Sequence, residues 1–160
     1  MTALPVVPEW EPIHAGAQEA TDEAERDLIE QQAAALGIQP LRWPRSWPPD
    51  SSFAMLAATY AKRVGRGVAF ALAAFRQTFA AGRDLGDRDT VLIAAAACEM
   101  HPVALLKGVQ LSSVARALEQ ASARARAAGV SSPPAILLED QVFAGPEMIN
   151  RAARALEDCG

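Results

Sequence analysis

The chain has 160 residues, 51% hydrophobic and 21% charged, enough to bury one good core and too few for two domains of ordinary size. A formal net charge of −4 and a pI near 5.2 exclude the broad basic footprint that nucleic acid or an anionic membrane surface requires. No apolar run approaches the roughly 18 residues of a membrane span, and Pro5 and Pro8 stand where a secretory signal would be apolar, so a cytoplasmic protein is expected.

Residues 6–13 are β-rich, with Val6, Val7, Trp10 and Ile13 set among prolines that cannot donate to a ladder. That pattern predicts at best a short strand at a sheet edge. Asp22, with Glu25 three residues on, opens a helix that places Leu28, Ile29, Ala33 and Leu36 on one face and closes at Gly37. The stretch Leu41-Arg42-Trp43-Pro44-Arg45-Ser46-Trp47-Pro48-Pro49-Asp50 is too proline-rich for regular structure and too aromatic for an idle linker. Trp43 and Trp47 either pin this loop to the core or form the wall of a ligand cleft, since an indole offers a large apolar face and one donor.

Ser51 or Ser52 can cap a helix carrying Phe53, Leu56, Tyr60 and Val64, which Gly65-Arg66-Gly67 breaks. Val68, Leu72, Phe75 and Phe79 recur at helical steps in the next helix, an aromatic stripe that reads as core. Asp87 caps a helix through Thr90, Leu92, Ile93 and Cys98, and His101-Pro102 sets proline in the first turn of a short helix with Val103, Leu105, Leu106 and Val109. Ser112 is the expected cap of a long helix in which Val114, Leu118, Ala121 and Ala125 face inward and Arg116, Glu119, Arg124 and Arg126 face water. Gly129 reads as its C-cap. Residues 135–138 and 141–143 flank a Glu139-Asp140 turn as a hairpin, and after Pro146 a closing helix carries Ile149, Ala152, Ala153 and Leu156 at i, i+3, i+4 and i+7.

Few residue types here announce chemistry. Cys98 and Cys159 form no Cys-x-x-Cys, and Cys98, within a run of alanines, reads as a small buried hydrophobe. His14 and His101 read as solvated or singly hydrogen-bonded imidazoles rather than metal ligands, so no metal site is expected. Arg42 with Arg45, and Lys62, Arg63 and Arg66, read either as solvated edges or as holders of a carboxylate ligand. Neither a glycine-rich phosphate loop, a Ser-His-Asp order nor an internal repeat is present.

The order of elements, taken with several motifs, resembles the 2-hydroxychromene-2-carboxylate isomerase and kappa-class glutathione transferase family, within the DsbA-like thioredoxin superfamily. Trp10-Glu11-Pro12-Ile13 is similar to that family's second strand, and Leu36-Gly37-Ile38 followed by Leu41-Arg42-Trp43-Pro44 to its helix exit and Trp-Pro loop. Phe75-Arg76-Gln77 through Gly82-Arg83-Asp84-Leu85 resembles its inner helical signature. The run from Gly129-Val130 to Pro134 resembles its cis-proline loop, and Phe143-Ala144-Gly145-Pro146-Glu147 its ligand clamp.

The resemblance implies an α/β, thioredoxin-like fold whose first βα unit is missing and which carries a large all-helical insertion. Residues 1–160 would form a single domain, with 1–20 and 129–160 as the thioredoxin part and 21–128 as the insertion. It implies a cis Pro133–Pro134 bond, a thiol or ligand site at Ser132, Pro133, Pro134, Gly145 and Glu147, and a cleft wall at Trp43 and Trp47. The family's activating Ser or Cys sits on a first helix that would lie upstream of Met1, so no catalytic residue is assigned and an inactive chain is expected. The strand before that helix would separate the strand at residues 7–13 from the one at 135–138. Family chemistry is glutathione-dependent isomerisation or transfer. Glutathione is the implied cofactor, and an aromatic small molecule, a thiol or a second copy of the chain the implied partner. Thiol–disulfide oxidoreductase and noncatalytic helical binding module are the alternative readings.

Overall fold

The structure is a computed structural model that describes residues 6–15 and 21–158. Cys159 and the stretches 1–5 and 16–20 lie outside the described residues. Helix α1 (Glu23–Ala35) starts as its residues dictate, with the Asp22 carboxylate accepting from the Glu25 N–H at 2.8 Å. The face that the spacing predicts is only partly covered: Ala33 is buried and Ile29 half-buried, while Leu28 and Leu36 are exposed. α1 is peripheral and meets the loop after it through Arg26 and Glu30, which both reach Trp43.

The bulk of the molecule is a helical block of α2 (Ser52–Arg63), α3 (Gly67–Phe75), α4 (Arg88–Ala97), α5 (Pro102–Gly108) and α6 (Ser112–Ala127). Its core is built mainly from small side chains, with Ala54, Ala57, Ala61, Val91, Ala94 and Ala95 around Phe70 and Leu105. This corrects the expected faces. Val68, Leu72 and Phe75 form the outer stripe of α3, about half exposed, while Phe70, Ala73 and Ala74 point inward. On α2 the alanines are buried, Phe53, Leu56 and Tyr60 are half-buried and Val64 is exposed; on α4 Ile93 is likewise outside. The reason is helix spacing: axes that approach closely demand small residues at the contact, so alanine takes the inner face and larger side chains are displaced to the flanks. Where α5 crosses α2 the demand is strongest, and Gly108 lies directly against the Tyr60 ring.

α3 runs into a π-helical turn (Arg76–Ala80), in which the Ala81 N–H donates to the Arg76 carbonyl at 3.1 Å. The wider turn takes Phe79 out of the outward stripe and sets it against Trp43 and Trp47, at centroid distances of 5.7 and 5.5 Å. α4 is capped by Asp87, which accepts from the Asp89 N–H, and α5 by His101 Nδ1, which accepts from the Val103 N–H, with Pro102 in the first turn as expected. Asp50 accepts from the Ser52 N–H, so neither Ser51 nor Ser52 caps α2 with its side chain; nor does Ser112 cap α6, being its first helical residue. α6 buries Val114, Leu118 and Ala121 and leaves Arg116, Glu119, Arg124 and Arg126 in water. It ends where Gly129 takes φ +89°, which lets the Val130 N–H reach back to the Ala125 carbonyl at 2.9 Å.

β1 (Ala135–Leu138) and β2 (Gln141–Ala144) pair antiparallel, with Ile136 opposite Phe143, across a tight turn in which Glu139 has φ +52°. α7 (Met148–Asp158) packs on both strands through buried Ala152 and Ala153, and Arg151 lies over the Phe143 ring at 5.5 Å. Residues 6–13 do not form the expected edge strand. Pro8 and Pro12 lack the N–H groups a ladder needs, and the extended segment rests on α2 and α6 through side chains instead. Nor do Trp43, Trp47, Tyr60 and Phe75 cover the hairpin: the tryptophans pack on Phe79, Tyr60 on α5, and Phe75 is exposed.

Candidate functional site

Three separate pieces of chain converge beside the hairpin. α6 contributes Ser122, Ala125 and Arg126 from its last turns, the loop after it contributes Val130, Ser131 and Pro133, and the extended N-terminal segment contributes Ile13, His14 and Ala15. Between them lies a cleft of about 250 Å³. The Pro133–Pro134 bond is cis, as the motif implied, and it turns the loop from the end of α6 into β1.

The polar groups of the cleft are mostly committed. Ser122 Oγ donates to the Leu118 carbonyl at 2.7 Å and accepts from the His14 N–H at 2.8 Å, while His14 Nε2 stands 3.4 Å from Ser52 Oγ. Arg126 is exposed, so its guanidinium is accessible to an anion. Among the described residues the lining holds no thiol. Cys98 lies in the helical core, where its Sγ–H donates to the Ala95 carbonyl at 3.2 Å and burial pushes its thiol pKa up, the opposite of a reactive cysteine.

Of the residues assigned from the motifs, Pro133 lines the cleft, with Ser132 and Pro134 beside it and exposed. The Ser132 hydroxyl donates to the Pro133 carbonyl at 3.3 Å. Gly145, at φ +84°, and Glu147 lie at the junction of β2 and α7 and are not among the cleft-lining residues; Glu147 Oε2 accepts from Asn150 Nδ2 at 2.9 Å. No sequence motif marks the N-terminal segment or the end of α6 as cleft walls. Ile13 and His14 belong to no local motif, and their role arises from where the segment lies on α6.

A second, wider notch of about 420 Å³ opens at Trp43, between it and Thr21, Glu23, Arg26, Asp27 and Glu30 of the α1 region. Trp43 Nε1 donates to Glu30 Oε1 at 2.7 Å, the Arg26 guanidinium sits 5.0 Å from the Trp43 ring centroid, and Trp47 Nε1 donates to Thr21 Oγ1 at 3.0 Å. These partners make both indoles pins of the loop, with Trp43 alone also bordering a depression. Among the described lining residues three carboxylates surround a single cation, leaving little for an anionic ligand, so the cleft at the cis-proline is the stronger candidate site. The Trp47–Pro48 bond is also cis. Among the described residues, no group of three His, Cys, Asp or Glu side chains is placed to hold a metal ion.

Residues 12–157 match the DSBA-like thioredoxin domain family. The chain belongs to that family. The match spans α1 through nearly all of α7, so the helical block and the hairpin both fall within the DSBA-like domain. Among solved structures the domain is similar to 2-hydroxychromene-2-carboxylate isomerase, with a TM-score of 0.71 and 14% identity over 86% of this chain and 68% of that one. At that identity the likeness establishes the fold. No curated protein matches the chain.

Proposed function

We propose that this DSBA-like domain binds a small thiol-bearing peptide of the glutathione class in the cleft beside its cis-proline loop, and that the chemistry served there is glutathione-dependent isomerisation or transfer. The observation that carries the reading is the convergence of the cis Pro133–Pro134 loop, the Arg126 guanidinium and a cleft of about 250 Å³ at one place. Arg126 suits a ligand carboxylate, Ile13, Ala15, Ala125 and Val130 suit its methylenes, and Ser131 supplies a polar contact beside them. The volume lies just under the usual range for small-molecule sites, which favours capture of one arm of the tripeptide, with the remainder in solvent.

When bound, glutathione supplies the sulfur nucleophile. The chain's own residues hold the carboxylate and border the peptide. A compartment rich in reduced glutathione, such as the cytoplasm, suits such a ligand.

The test is an NMR titration of the ¹⁵N-labelled chain with reduced glutathione and with S-methylglutathione. Both should shift the amides of His14, Val130 and Ser131, with a Kd on the order of 1 mM, and Arg126→Ala should weaken the effect at least several-fold. Shifts confined to the Trp43 notch, or none at the cleft, would refute the assignment.

A further inference from the structure

Resting on that reading of the cleft, the geometry points to residues 6–15 as an ionically latched strap, which closes one wall of the ligand cleft and is released as ionic strength rises. Ile13, His14 and Ala15 are that wall. Among the described residues, no backbone–backbone hydrogen bond ties the segment to the rest of the chain. Apolar contact is confined to its end, since Val7 is 97% exposed and Trp10 61%, while Pro12 and Ile13 are half-buried.

Ion pairs hold the front of the strap, and at its end His14 meets the hydroxyls of Ser122 and Ser52. Lys62 Nζ of α2 lies 2.8 Å from Glu9 Oε1 and 3.1 Å from Glu11 Oε1, and Arg124 Nη2 of α6 lies 3.0 Å from Glu11 Oε2. Glu11 therefore bridges two helices with its two oxygens. A few residues on, the His14 N–H donates to Ser122 Oγ at 2.8 Å, at the edge of the cleft itself. The pairs are open to water, with the Glu9 side chain 82% and the Arg124 side chain 61% exposed, so each is weak alone and screened by salt. The alanine core beneath is held by apolar contact and does not share that sensitivity. Raising the ionic strength thus loosens the strap while α2 and α6 stay folded, and a ligand held between strap and cis-proline loop loses one of its two sides.

The experiment is ¹⁵N relaxation on the full chain without ligand, at about 50 mM and about 500 mM salt, for the wild type, Lys62→Met and Glu11→Gln. In the wild type the order parameters of residues 9–14 should be near 0.85 at low salt and fall below about 0.6 at high salt. Either substitution should give the low values already at low salt, with the amides of α2 and α6 unchanged as proof that the variant is folded. Glutathione affinity should fall on the order of 3- to 10-fold in Lys62→Met at low salt. Order parameters that ignore both salt and substitution would overturn the strap. Equal glutathione binding by the wild type and Lys62→Met would overturn its hold on the cleft. A strap that responds as expected in a chain that does not bind glutathione leaves the latch standing and refutes the ligand instead.

Discussion

Replacing Gly108 with alanine should destabilise the helical block, although alanine is the better helix former. Gly108 is buried at the end of α5, and a Cβ there would overlap the Tyr60 ring of α2, including Cδ2 and Cε2, with Cγ only 2.7 Å away. Because Cγ moves only with χ1, a ring flip brings no relief. Either the tyrosine leaves its rotamer, at about 0.5–1.5 kcal/mol, or α5 shifts off α2, so that overpacking costs roughly 1–3 kcal/mol in all. The lower chain entropy of alanine returns about 0.4–1 kcal/mol. A net loss of about 1–2 kcal/mol corresponds to a fall in Tm of roughly 2–8 °C for a chain of this length. Thermal and urea unfolding followed by far-UV circular dichroism measure both. In a Tyr60→Ala background the same substitution should become neutral or stabilising. An unchanged or raised Tm in Gly108→Ala alone would show that α2 and α5 are not in this close contact.

Asp87→Ala removes the acceptor for the Asp89 N–H at 3.0 Å and for the Thr90 hydroxyl at 3.3 Å, and urea unfolding should register about 1 kcal/mol of lost stability; a change within about 0.2 kcal/mol would deny the cap its role. For Glu11, burial pushes the carboxyl pKa up, but hydrogen bonds from Arg124 and Lys62 and their charges outweigh it and hold it below the ordinary glutamate value. A depressed carboxyl contributes stability that is present above the ordinary value of about 4.3 and is lost as pH falls through the lowered one. The stability difference between the wild type and Glu11→Gln should therefore be constant near neutrality and shrink on acidification below about pH 4, and a difference that grew instead would reverse the assigned sign.

Where the fold could be read in the residues, the signals were local and backbone-directed. Asp22 and Asp87 at helix starts, Gly129 at a helix end and the Glu139-Asp140 turn all act within a few residues of themselves, and each element they predict is present. The inward faces were harder. In α3, apolar residues surround the helix, so Val68, Leu72 and Phe75 have as good a helical spacing as Phe70, Ala73 and Ala74, and only the approach of α2 and α4 decides between them. The π-helical turn and the cis Trp47–Pro48 bond carried no pattern in the residues around them. Residues 6–13 read as β because valine, tryptophan and isoleucine favour strands, yet Pro8 and Pro12 withhold the donors, and Glu9 and Glu11 settle the segment on Lys62 and Arg124. For the candidate site, the cis-proline loop was visible in its motif, whereas Ser122 and Arg126 are ordinary helical residues until α6 is set beside residues 13–15.

The alanine-lined interior described above sets the direction in which this protein can change. Ala57, Ala61, Ala94 and Ala95 are fully enclosed, and each carries a single methyl group. Replacing such an alanine with glycine forfeits little volume but costs the helix roughly 0.5–1 kcal/mol in backbone entropy, whereas a larger side chain overpacks the contact between helices. The block therefore resembles a stack of closely fitted parts rather than a filled vessel, with little room for growth. Cysteine at position 98 fits the same gauge, a side chain small enough to sit where leucine would not. Larger side chains are accommodated on the outward faces instead, where α3 and α4 display valine, leucine, phenylalanine and isoleucine without touching the inner spacing.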